Sequence, residues 1–171
     1  PFCGHIIGSG VRRIDPRKLE VIRSLKIPET KKQVRQILGF FSWFRDYLSH
    51  FSFFAKPLID LTRKAVPNKI PWTVTEQIAL DKLKDLLCAA VNNPLHVIDW
   101  NKPFNIYSDA SDILIAGTLS QTDENGAERP ISFFSRKLSD SQKSWSTIER
   151  EAYAVLENLN HYRHWIFGYP I

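Results

Sequence analysis

Between Phe104 and Phe134 the apolar positions fall into three short runs separated by turn chemistry. Phe104-Asn105-Ile106-Tyr107 alternates apolar and polar at period two and carries aromatic and β-branched side chains, which predicts a strand. Pro103 precedes it, where a missing N–H costs nothing. The apolar run Ile113–Gln121 predicts an antiparallel return. Asp123-Glu124-Asn125-Gly126 supplies a hairpin turn, and Pro130–Phe134 a third strand. The turn lacks the ligand register of a calcium-binding loop.

Elsewhere the period is helical. Asp15 as N-cap and Pro16 at the first position open a helix carrying Leu19, Ile22 and Leu25, which stops at Pro28. Thr30 and Gln33 form a capping box for a helix whose stripe runs through Val34, Ile37, Leu38, Phe41, Phe44 and Leu48. Ser52 is positioned to cap a third, with Leu58 and Leu61 inward and Pro67 ending it. Thr75 caps a fourth reaching Ala90, with Leu80, Leu83 and Leu87 inward, and Val97–Trp100 adds a short strand or turn. After the meander a helical region starts at Ser139 or Ser141. Thr147 then caps a long helix packing Ile148, Ala152, Val155, Leu156 and Leu159 on the sheet. The class is α+β: a small helical module, then an antiparallel three-stranded meander with a long helix.

Charge divides along the same line. Residues 1–72 hold 14 Lys/Arg against 5 Asp/Glu, and residues 73–171 hold 9 against 13. A basic module suits phosphates and an acidic one suits divalent cations. The two cysteines, Cys3 and Cys88, form no disulfide or metal pattern, which fits a reducing compartment, and no apolar run approaches a membrane span. Methionine is absent, so the chain reads as a piece of something longer.

Candidate chemistry follows from position. Lys31, Lys32 and Arg35 lie in the first turns of a helix, where cations and free N–H groups attract phosphate. Asp109 ends the first meander strand, and the meander followed by a long helix places it near the middle of a sheet, at the end of a central strand. An isolated Asp there usually caps a turn, whereas a metal ligand needs acidic company, and Glu149 and Glu151 are the candidates. Two residues apart, they point to different sides of a helix, so one alone faces Asp109.

The ordered segments YSDAS, GTLSQ, RPISFFSRKLS, WSTIEREAYAV and HYRHWIFG resemble the RNase H domain in Pol polyproteins of gypsy-type LTR retrotransposons. Upstream, Asp15-Pro16, Pro28, Thr30, Arg35, Leu38-Gly39, Phe44-Arg45, Phe51-Ser52 and Ala55-Lys56-Pro57-Leu58 match the pattern of a reverse-transcriptase thumb. Phe2-Cys3-Gly4-His5 resembles the last hairpin of the palm, where Gly4 and His5 would help grip the primer terminus.

The resemblance implies a palm hairpin over 1–10, a thumb-like module over 11–68, a connecting helix over 69–101 and the N-terminal part of an RNase H-like domain over 102–171. It implies Asp109 and Glu151 as catalytic metal ligands for Mg²⁺ or Mn²⁺ in two-metal hydrolysis of the RNA of an RNA–DNA hybrid, with Glu149 either turned to solvent or supporting the ligands from behind. Further carboxylates are expected beyond the chain, and no Tyr-x-Asp-Asp occurs within it. Both active sites are thus incomplete, and the isolated chain is expected to be inactive. The expected partners are RNA–DNA hybrid, template–primer and the rest of Pol, in the cytoplasm or in virus-like particles, without a membrane. The chain departs from the pattern at Leu114 and Ala116, where Gly is usual, at Gly117, where Ala is common, and at Asn158 and Asn160 in a usually apolar helix. Such changes leave open a non-catalytic nucleic-acid-binding module built on the same core.

Overall fold

The computed structural model describes residues 3–171, so Phe2, read above as part of the first strand, lies outside the described residues. The meander forms from β4 (Asn105–Ala110), β5 (Leu114–Thr122) and β6 (Glu128–Lys137), antiparallel in the order β4-β5-β6. Its turn is held by the Asp123 carboxylate, which accepts from Asn125 and Ala127 N–H and pairs with Arg129, while Gly126 takes the φ of +79° that the turn needs. Glu128 pins the register by accepting from Asn105, Tyr107, Ser120 and Thr122, and these donors hold its carboxyl below the usual range. β6 is longer than its apolar run predicts. A register shift between Leu119 and Ser120 lets Pro130 sit in the strand opposite Ser120.

The segment before the meander shares one apolar core. Hairpin β1 (His5–Gly8) and β2 (Val11–Ile14) gains a third strand from β3 (Leu95–His96), so the segment expected at Val97–Trp100 pairs two residues earlier, against β2. Helices α1 (Lys18–Arg23), α2 (Lys31–Trp43), α3 (Phe51–Asp60) and α4 (Val74–Asn92) bury Ile22, Phe41, Leu58, Leu80, Leu83 and Leu87 together with Ile14 and Leu95. The α2 capping box forms as expected, but α2 ends at Trp43 and a 3₁₀ turn over Arg45–Tyr47 carries the chain to the buried Leu48. α4 is capped by Thr73 rather than Thr75, because Thr73 has Glu76 three residues on to complete the box.

Asp15 does not cap α1 directly. The helix starts at Lys18, and the Asp15 carboxylate instead accepts from the Arg17 N–H at 3.0 Å and is gripped by the Arg17 guanidinium at 2.6 Å. This hydrogen-bonded cation, with the backbone donor, holds the buried Asp15 carboxyl at about 2 against an ordinary 3.8. A depressed folded-state pKa adds stability that is complete above the ordinary value and disappears as pH falls through the folded one. Asp15→Asn is therefore expected to flatten the loss of stability between about pH 4 and pH 2 in acid unfolding followed by circular dichroism. An acid limb identical to that of the unaltered chain would refute it.

Ser52 does not cap α3. The N-cap is His50, in the left-handed region at φ +55°, and it makes no side-chain cap. The cap comes from the meander: the Ser135 hydroxyl accepts from Ser52 N–H at 2.9 Å, and the Ser52 hydroxyl donates to Ser135 O at 2.7 Å. Arg45 donates to the same carbonyl at 3.1 Å, and Lys137 lies 3.7 Å from Asp60. The helical module thus covers the sheet face that carries Ser135.

The opposite face is covered by α6 (Thr147–Ile166), reached through the short α5 (Asp140–Lys143). Ser146 caps α6 rather than Thr147, because Glu149 lies three residues on and closes the box. The face turned to the sheet also differs from the one expected. Ala154, Asn158, Tyr162 and Ile166 are buried, whereas Ile148, Val155, Leu156 and Leu159 are exposed, Ile148 by 82%. Gly117 is the reason: a Cβ there would fall 1.6 Å from Asn158 Oδ1, so the missing side chain is the space that Asn158 fills. Among the described residues no helix is long and apolar enough to cross a membrane.

Candidate functional site

Strand alternation decides where the two candidate acids stand. Gly117 points at Asn158 of α6, and Ser108 is its partner across the ladder. Asp109, one residue on and opposite Ala116, therefore faces the other way, towards the helical module. Among the described residues β4 is the outer strand and not the central one expected, because β5 lies between β4 and β6, and the Asp109 side chain is exposed at its end. It lines two adjoining cavities. One, of about 180 Å³, includes Ser49, His50, Tyr107 and Phe133; the other, of about 550 Å³, includes His50, Phe53, Asp112 and Leu114. His50 comes from the α3 N-cap, some sixty residues away in sequence, and no spacing pattern signals that it would meet Asp109.

Glu151 lies in the second turn of α6, half-buried on the same side of the helix as Ala154 and Asn158. Glu149 is committed elsewhere: its carboxylate accepts from the Ser146 N–H at 2.7 Å, and that bond holds its carboxyl below the usual range. Asp112 is committed as well, in an ion pair with Arg150. Among the described residues, Asp109 and Glu151 take part in no side-chain hydrogen bond or ion pair. The structure leaves these two acids unengaged while it satisfies their acidic neighbours.

It does not join them. α6 covers one face of the sheet and Asp109 points to the other. Among the described residues no group of three or more His, Cys, Asp or Glu is placed to hold a metal ion. A hard cation such as Mg²⁺ takes six oxygen ligands with near-octahedral geometry, and two acids on either side of an edge strand do not make that cage by themselves.

The basic candidates lie at one end of α2. Lys32 and Arg35 are exposed and Lys31 is half-buried. Lys31 Nζ donates to Arg63 O at 2.6 Å and reaches Lys64 O at 3.4 Å, and Arg35 donates to Thr62 O at 3.4 Å. Further along the exposed side of the helix follow Gln36, Gly39 and Trp43. Gly39 has no heavy atom within 4 Å of where a Cβ would be, so the helix presents a flat place there.

Gly4 and His5 form the edge of the hairpin. Gly4 adopts φ +85°, and a Cβ would lie 3.3 Å from Lys18 Cε. The His5 ring stacks on Tyr47 with 12° between planes, pairs its Nδ1 with the Tyr47 hydroxyl at 3.1 Å and meets Phe44 edge-on. Burial, helped by Arg12, lowers the His5 pKa, and burial raises the Tyr47 phenol to about 12. Both rings are therefore neutral at pH 7, and the pair anchors the hairpin on the end of α2.

Comparison with known proteins gives a consistent picture. Residues 72–171 match the model of an RNase H-like domain found in reverse transcriptase. The retrovirus-related Pol polyprotein from transposon opus of Drosophila melanogaster is 32% identical over 176 residues, covering 98% of this chain and 17% of the polyprotein. That from transposon 297 of the same organism is 34% identical over 169 residues, covering 98% and 15%. The transposon Tf2-3 polyprotein of Schizosaccharomyces pombe is 30% identical, covering 96% and 12%. The chain thus spans less than a fifth of the length of these relatives. Among solved structures, the foamy viral protease-reverse transcriptase dRH in complex with double-stranded DNA matches with a TM-score of 0.81 at 22% identity, over 96% of this chain and 29% of that one. The foamy viral protease-reverse transcriptase in complex with RNA/DNA hybrid matches at 0.76 and 21%, over 96% and 23%. At these identities the likeness is one of fold.

Proposed function

Because this chain belongs to the family of RNase H-like domains found in reverse transcriptase, we propose that it is the nucleic-acid-holding and RNase H-like segment of a retrotransposon Pol polyprotein that copies RNA into DNA and hydrolyses the RNA of RNA–DNA hybrids. The observation that carries the hydrolytic part is the pair of unengaged acids, Asp109 and Glu151, among neighbours that are all hydrogen-bonded or ion-paired. In this reading they are ligands for Mg²⁺ or Mn²⁺, completed by carboxylates outside these 171 residues. The metal, when bound, would neutralise charge developing at the cleaved phosphate. This chain's own residues hold the duplex: the basic start of α2 faces the backbone, with Lys32 exposed and Lys31 and Arg35 beside it tied to the carbonyls of residues 62–64, and Gly4 and His5 shape the hairpin edge at the other end of the helix. The foamy viral proteins of like fold, solved with double-stranded DNA and with RNA/DNA hybrid, support a duplex as the ligand. The setting in this reading is the cytoplasm, with the rest of Pol as partner.

A second reading is favoured by one observation, the placement of Asp109 and Glu151 on either side of β4. In it the same fold binds hybrid without cutting it. Cleavage of a labelled hybrid with Mg²⁺ or Mn²⁺, by the full Pol polypeptide and by this chain, separates the two. Cutting by the full polypeptide alone, abolished by Asp109→Asn, is the expected outcome. Hybrid binding without cutting in both forms would leave only the second reading standing.

A further inference from the structure

The chain after α3 returns to the start of α2 and is built into it. Lys31 N–H donates to Asn68 O and Ile70 N–H to Glu29 O, each at 3.1 Å, and Thr30 and Lys69 form an antiparallel bridge. The loop is folded on itself as well: Thr62 Oγ1 donates to Ile59 O at 2.7 Å, Val66 N–H to Arg63 O at 3.2 Å, and Val66 packs on the helical core. Lys31 Nζ donates to Arg63 O and reaches Lys64 O, and one Arg35 nitrogen reaches Thr62 O, which ties the loop to the start of α2. Lys32, Lys64 and Lys69 are exposed and bear no ion pair among the described residues, and Arg63 is bound to Asp60 at 2.9 Å. The loop Thr62–Lys69 contains no aromatic ring on which a base could stack.

We propose that Lys32, Lys64 and Lys69 form one phosphate-contacting surface for a nucleic-acid duplex, with Lys31 and Arg35 acting as positioning residues that hold the loop in place. This rests on the reading of the chain as a duplex-holding segment and extends its contact surface to a loop about thirty residues away in sequence. Lysines on long stems with no stacking ring between them recognise backbone charge and not base sequence. The surface therefore accepts hybrid and double-stranded DNA alike.

The test is fluorescence anisotropy of this chain on a short blunt RNA–DNA hybrid and on DNA of the same sequence, over a salt series. Lys64→Ala with Lys69→Ala is expected to weaken both duplexes alike and to lower the slope of log affinity against log salt by about two, about one per lysine. Thermal unfolding should be unchanged, since both side chains are exposed. Lys31→Ala is expected to weaken binding and also to speed hydrogen exchange at Arg63–Val66 in the free chain, which Lys32→Ala should not do. An unchanged slope for the Lys64/Lys69 variant while Lys32→Ala lowers it would remove the loop from the surface and leave duplex binding by α2 intact. Unchanged exchange in Lys31→Ala would overturn its positioning role. Absence of binding by the unaltered chain at low salt would overturn the duplex-holding reading itself.

Discussion

Gly117→Ala is expected to destabilise the protein by about 3 kcal/mol, an unusual cost for one methyl group. The new Cβ would sit 1.6 Å from Asn158 Oδ1 and 2.3 Å from its Cγ. Asn158 is fully buried, and its Nδ2 donates to Ala116 O at 3.0 Å and Ala154 O at 2.8 Å, so the amide cannot swing away without leaving its own buried N–H donors unpaired. Its Oδ1 already lacks a partner. The complementary change, Asn158→Ala, removes that orphan and opens the space a Cβ needs. The double substitution should therefore recover most of the loss, with a coupling of about 2 kcal/mol in a double-mutant cycle measured by urea unfolding. Additive effects would mean that α6 and β5 are not in contact at this point.

Tyr162→Ala should cost about 3–5 kcal/mol, the range for emptying a fully buried aromatic site. For a protein of this size that lowers the melting temperature by about 6–20 °C. The ring lies in the core between α6 and the sheet, and the hydroxyl donates to Ser132 O at 3.1 Å with Gly117 O at 3.4 Å. Burial pushes the phenol well above its usual pKa, so the hydroxyl remains a donor throughout the folded range. Tyr162→Phe keeps the volume and should cost only about 1 kcal/mol. Calorimetry of the two variants separates volume from hydrogen bonding, and equal losses would show that the hydroxyl, not the ring, holds the helix.

The α6 helix shows where sequence reasoning succeeds and where it stops. Two stripes share its period. Ile148, Val155, Leu156 and Leu159 are the more apolar, while Ala154, Asn158, Tyr162 and Ile166 are the buried set. Hydrophobicity selects the wrong stripe because the choice is made by a partner on β5: an absent side chain at Gly117 and carbonyls within reach of an amide and a phenol. Neither is visible in the helix itself. The departures from the family pattern at Gly117 and Asn158 were visible separately; that they are two halves of one contact was not.

The meander was legible because alternation and an Asn-Gly turn are local signals, and the α2 box because Thr30 and Gln33 satisfy both halves of a local rule. Thr73 and Ser146 obey the same rule with Glu76 and Glu149, and the nearer hydroxyls at Thr75 and Thr147 obscured it. Asp109 could be placed at a strand end from its sequence, whereas its orientation depends on ladder pairing with Ala116, and its neighbour His50 on how two modules dock.

That docking has a consequence in time. The N-terminus of α3 is closed by a hydroxyl 83 residues further along the chain. At a synthesis rate of about 5–20 residues per second, the helix emerges roughly 4–17 s before the strand that caps it. The same delay separates β2 from β3, the strand that completes its sheet. During that interval the helical module exposes an uncapped helix end and an unpaired strand edge, the second of which is a template for pairing with other chains. A nascent polypeptide paused between Asp60 and Ser135 would be the species most in need of a chaperone.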